Sequence, residues 1–181
     1  MKNQMRTMAI QLLLTGPLAG WAASPAEKAD DVPASLRVAA NEVLAQTLHA
    51  VGVQIYTCLA GKDEPTHYEW ALKAPEADLS DRAGNKIAKH YGGPTWEARD
   101  GSKVTGEVSA RADSPDGTGI AWLLLSAKST SGSGMFAAVR HIQRLHTVGG
   151  NAPSGGCEQA SVGSEVRVPY TAEYRFYTDK P

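Results

Sequence analysis

The chain has 181 residues, of which 42% are hydrophobic, 20% charged and 7% aromatic, with two cysteines and a formal net charge of -1. Those values describe one ordinary globular domain, or one domain with a processed leader, and exclude a collagen-like or disordered chain. Eighteen Lys and Arg against nineteen Asp and Glu leave no positive excess to neutralise a phosphate backbone, so no nucleic-acid partner is expected.

The first residues read as a secretory signal peptide. Lys2 and Arg6 form a short basic region, Met8 to Leu14 an apolar stretch, and Gly16, Pro17, Ala19 and Gly20 a small-residue exit that suits cleavage after Ala22. The apolar stretch is too short to span a bilayer, so no transmembrane segment is expected. Residues 1–22 are therefore assigned to the leader, 23–35 to a linker and 36–181 to a single β-rich domain, exported to the periplasm or the extracellular space. Loss of Lys2 and Arg6 leaves a mature charge of about -3.

Leu36 to Val51 places apolar residues at helical spacing behind Ser35, a possible cap, yet it runs without a break into a strand pattern, so helix and strand both stay open. Val53 to Cys58 and Tyr68 to Leu72 alternate and are rich in β-branched and aromatic residues, which predicts strands. Asp100-Gly101-Ser102 before Lys103 to Val108 predicts a hairpin, because Asp-Gly tolerates positive φ. Ile120 to Leu125 is continuously apolar, as in a strand buried on both faces. Met135 to Leu145 again fits helix or strand, and Thr171 to Tyr177 closes the chain with an aromatic strand. The predicted fold is mainly β, a single-domain sandwich or barrel with at most one or two short helices.

In an oxidising compartment two thiols in one domain pair, which predicts a Cys58–Cys157 disulfide. Closing a loop of 99 positions is worth about 4.7 kcal/mol in the chain-entropy model.

The strings Gly52 to Cys58, His90-Tyr91-Gly92-Gly93-Pro94-Thr95-Trp96-Glu97 with Asp100-Gly101-Ser102, Ile120 to Leu125, and Ile142-Gln143-Arg144 through Gly149 to Pro153 and on to Gly156-Cys157 resemble the secreted family known as domain of unknown function 3455. The resemblance runs from Val32 to Tyr177 and implies export and a compact domain. It supplies no catalytic residues. Some relatives circulate under the label malate dehydrogenase, which these residues do not support. Gly132-Ser133-Gly134-Met135-Phe136-Ala137 has the letters of a dinucleotide fingerprint, but polar Ser126 to Ser131 separates it from the preceding strand and no alternating βα units follow. A Ser/Gly-rich hairpin loop is the better reading, and no cofactor is expected.

No histidine pair has metal-binding spacing, so no metal is expected, and G-x-S-x-G and S-x-x-K are absent. The ligand-binding candidates fall in two clusters. His90, Tyr91, Trp96, Glu97 and Asp100 place an aromatic platform, an imidazole and carboxylates around Gly92-Gly93-Pro94, which suits stacking on a sugar or another polar ligand. Arg140 and Arg144, four apart on a strand, would share one face as a cationic patch. These features point to a non-enzymatic binding or envelope-associated module for a small polar or carbohydrate ligand. The alternative is an exported hydrolase or lyase using Glu97 or Asp100 as acid or base.

Overall fold

The computed structural model describes residues 32–181. The leader and the first part of the linker lie outside the described residues. Eight strands follow one another around a closed barrel: β1 (Glu42–Ala60), β2 (Tyr68–Ser80), β3 (Lys86–Tyr91), β4 (Thr95–Ala98), β5 (Lys103–Ala112), β6 (Trp122–Ser131), β7 (Val139–Gly149) and β8 (Glu165–Asp179). Every neighbouring pair is antiparallel, and the seam is the long β1–β8 ladder from Glu42 opposite Asp179 to Thr57 opposite Glu165. Of the two architectures expected, the barrel is the one formed. Two single 3-10 turns, Ala34–Leu36 and Gln159–Ser161, are the only helical segments among the described residues.

Both ambiguous stretches are strand. Leu44 and Val51, which completed the helical spacing, are exposed on the outside of β1, so the apparent period came from apolar residues on two opposite faces of a strand. The second stretch splits into a turn carrying Met135 and Phe136, followed by β7. The continuously apolar run is buried on both sides of β6. Leu125 joins the barrel interior, while Trp122 and Leu124 pack with Val32, Leu36 and Leu145 in a second cluster. The strap that brings Val32 and Leu36 there is anchored by Gln143 Nε2, which donates to the Leu36 carbonyl at 2.6 Å. Residues 32–35, assigned above to the linker, thus include part of this packing.

One half of the interior is solid. Leu48, Leu79, Ala88, Ala98, Val104, Ile142 and Phe176 fill it, and Phe136 from the β6–β7 loop joins them. This loop is tied to the β4–β5 turn: the Asp100 carboxylate accepts from Ser102 N–H and Oγ–H and from Met135 N–H, and Ser102 Oγ accepts from Phe136 N–H. Gly134 has φ +156°, and a Cβ there would overlap the Asp100 carboxylate. The glycine spacing that imitated a dinucleotide fingerprint therefore serves a plug at one end of the barrel.

The predicted disulfide is formed, Cys58 to Cys157. It joins the end of β1 to the long loop before β8, at the opposite end of the barrel from the plug. Tyr56 Oη donates to the Gly150 carbonyl at 2.6 Å and Trp70 Nε1 to the Gly155 carbonyl at 2.9 Å, holding the same loop.

Candidate functional site

The second half of the interior holds a cavity of about 650 Å³, opening between the β3–β4 turn, the loop before β6 and the loop after β7. A barrel of eight strands has room inside for packed side chains or for one small ligand; this one holds side chains at one end and a space at the other.

Strand alternation decides which predicted residues reach that space. His90 and Trp96 point inward from β3 and β4, stacked with ring centroids 4.4 Å apart and planes within 11°. Tyr174 meets both rings edge-on. Their chain neighbours point outward. Tyr91 Oη donates to Glu97 Oε2 at 2.8 Å, and Lys103 Nζ lies 3.2 Å from the same oxygen. The predicted platform is therefore two separate pairs, one inside the barrel and one on its surface. Asp100 lies at the plugged end and does not line the cavity.

The arginines separate as well. An irregularity in the β7–β8 register between Val139 and His141 changes which face the following residues use. Arg140 is outside, with Nε 2.8 Å from Asp179 Oδ2, while Arg144 enters the cavity. The expected shared cationic face is absent for that reason.

Arg144 is one of the polar residues of the cavity wall. Its Nε–H and one Nη2–H donate to the Ala121 carbonyl at 3.1 and 2.9 Å. No carboxylate among the described residues forms an ion pair with it. Its charge acts on Tyr56, His90, Tyr170 and Tyr174, from β1, β3 and β8. Burial holds the His90 imidazole down to about 3, despite a Thr95 hydrogen bond that opposes the shift, and the Arg144 charge adds to the lowering. His90 is thus neutral at ordinary pH. Because Nδ1 faces the Thr95 carbonyl at 2.9 Å, that nitrogen carries the proton and Nε2 is the acceptor. Burial raises all three tyrosines, Tyr56, Tyr170 and Tyr174, keeping them protonated donors.

Several of these donors are unused. Gln54 Nε2 and the hydroxyls of Tyr170 and Tyr174 are buried without a hydrogen bond of good geometry, although both tyrosines feel each other and Tyr174 feels Arg144. Gln54, Tyr56 and Tyr174, which line the cavity, were not singled out from the sequence, nor was Tyr170 beside Tyr174. The signal was present: Gln54 and Tyr56 alternate on one strand, and Tyr170 and Tyr174 are four apart on another. Lys73 and Arg111 add two cations to the cavity wall, and Lys73 is already paired with Glu165 at 2.5 Å. Among the described residues no Asp or Glu lines the wall.

Glu97 and Asp100 are both held below the usual carboxylate range. The hydrogen bond from Tyr91, followed by that from Lys103, lowers Glu97; the Ser102 hydroxyl, followed by the Met135 amide, lowers Asp100. A general acid needs the opposite shift. Among the described residues no group of three or more His, Cys, Asp or Glu could hold a metal ion.

Comparison with protein families matches residues 39–178 to the family described as Protein of unknown function (DUF3455). The chain belongs to that family. No curated protein and no solved structure matches it. The DUF3455 match spans all eight strands of the barrel apart from the last residue of β8, so the cavity lies wholly within the family's domain.

Proposed function

We propose that the protein is an exported, non-enzymatic binding module that holds one small molecule in the open end of its barrel. The observation that carries this reading is the cavity itself, about 650 Å³ in volume and lined partly by apolar side chains and partly by convergent polar ones. Pockets for drug-sized ligands fall in the range of roughly 300–1,000 Å³ with that mixture of walls. Buried donors such as Gln54 Nε2 and Tyr174 Oη are costly when unmet and become useful when a ligand accepts from them. Export is supported by the disulfide, which persists in oxidising compartments. Among the described residues no helix is long and apolar enough to cross a membrane.

Catalysis by Glu97 or Asp100 is not favoured, since neither carboxylate lines the cavity and both are held ionised. The reading is tested by the mass of the natively purified protein under native and then denaturing conditions. A mass excess released on denaturation is expected, and it should be lost in Leu123→Trp, which fills the cavity wall. An excess retained in that variant, or none in the parent protein together with no thermal shift across a panel of small acids and sugars, would overturn it.

A further inference from the structure

We infer that the molecule held in the barrel is an organic monoanion, a carboxylate on an apolar body, whose head group pairs with Arg144. This rests on the reading that the cavity is a ligand site and adds the chemistry of the ligand. Three cations and no carboxylate line the wall. Of the five N–H groups of a guanidinium, two on Arg144 meet the Ala121 carbonyl along the Nε–Nη2 edge. The terminal nitrogens meet no carboxylate among the described residues, only the Tyr174 hydroxyl, a neutral partner, and their end-on edge is the fork a carboxylate engages with two parallel hydrogen bonds. Arg144 is partly withdrawn from water without a counter-ion among the described residues, and an entering carboxylate supplies one.

The surroundings of Arg144 agree with this assignment. Gln54 Nε2 and the Tyr174 hydroxyl are further buried donors without acceptors. His90 is neutral and so neither competes as a second cation nor repels an anion. One partly buried guanidinium balances one negative charge. Lys73 is engaged by Glu165, and Arg111 is exposed, so a dianion such as a phosphate monoester would leave a charge uncompensated. Leu123, Leu125 and Ile120 give the rest of the wall an apolar surface, and Leu72 and Val108, both more than half exposed, continue it to the mouth. That wall suits a hydrocarbon or ring body better than a sugar.

The test compares 2-naphthoate with 2-naphthamide, which share ring and size but differ in charge, by calorimetric titration of the disulfide-bonded protein. The expected result is binding of the naphthoate about tenfold tighter or more, since hydrogen bonds to a charged group are worth that factor. Arg144→Gln should equalise the two probes by weakening the naphthoate, and Arg144→Lys should keep part of the preference. Arg140→Gln, on the outer surface, should leave the ratio unchanged, and unfolding midpoints verify that each variant is folded. Equal affinities in the parent protein, or a preference that survives in Arg144→Gln, overturns the anion assignment while leaving binding in the barrel intact. If neither probe binds, the molecule released from the natively purified protein decides. An acid supports the assignment, a neutral molecule overturns it, and no released molecule together with no thermal shift across the panel of acids and sugars overturns the binding reading itself.

Discussion

His90 is a neutral imidazole in a closed stack, and its titration makes it a determinant of acid stability. Its proton affinity is lowered on folding, from the ordinary 6.5 to about 3. As pH falls through 6.5 the unfolded chain gains a proton that the folded chain refuses, so stability drops over the window from 6.5 toward 3, by up to about 1.4 kcal/mol per pH unit. The lowered carboxylates Asp78, Asp81, Glu97, Asp100 and Asp116 also lose stability on acidification as pH falls through their ordinary values of 3.8 to 4.5, at the acid end of that window. Denaturant unfolding at pH 7, 5.5 and 4.5 should therefore show a steep decline that His90→Phe, which keeps the stack on Trp96, makes shallower. An unchanged slope in that variant would assign the decline to other groups. At the plugged end, Ser102 is fully buried and both gives and takes a hydrogen bond. Ser102→Ala strands the buried Phe136 N–H and should cost about 1–3 kcal/mol, measured as a lower denaturation midpoint at an unchanged m-value.

At the scale of elements, the loop from Gly150 to Ser164 is the most heavily anchored part of the mouth. It forms part of the mouth through Asn151 and Ala152 and is fixed by Tyr56, Trp70 and the disulfide. Gly150 has φ +80°, and a Cβ there would press on Gln54, Ile120 and Tyr170. Gly150→Ala should therefore lower both stability and ligand retention, whereas Gly155→Ala, with open space around it, should leave retention unchanged. Val53 to Cys58 was legible as a strand through its β-branched and aromatic residues, although none of its side chains is exposed in the barrel. In β1 the apolar Leu44 and Val51 on the outer face imitated a helical spacing and left helix and strand open, whereas the unbroken apolar run of β6 was legible as a strand. The aromatic half of the site was legible through His90 and Trp96. Its separation from Glu97 was missed, because neighbours in sequence point to opposite faces of a strand. Arg144 was legible as a cation, but the register irregularity after Val139 that turns it away from Arg140 depends on the neighbouring strand and leaves no mark in the local sequence.

For the whole molecule, the disulfide and the closing seam occupy the same place. Cys58 N–H donates to the Ser164 carbonyl and Gly163 N–H to the Cys58 carbonyl, so the bridge stands at the end of the β1–β8 ladder. Replacing both cysteines by serine should cost about 2–5 kcal/mol. In calorimetry the variant should also release its ligand more readily, because the mouth loop loses an anchor. Loss of stability with unchanged affinity would separate the bridge from the site. The seam also sets an order of assembly. Seven of the eight neighbouring strand pairs join consecutive strands, while the eighth joins the first strand to the last. Hairpins can form as the chain emerges, but β1 keeps an unpaired edge until the final strand has been made, and such edges are sites of mispairing between chains. Refolding with the Cys58–Cys157 bond intact should accordingly be faster, and cleaner at high protein concentration, than refolding of the reduced chain. The covalent link delivers the last strand to the first before any other chain can take its place.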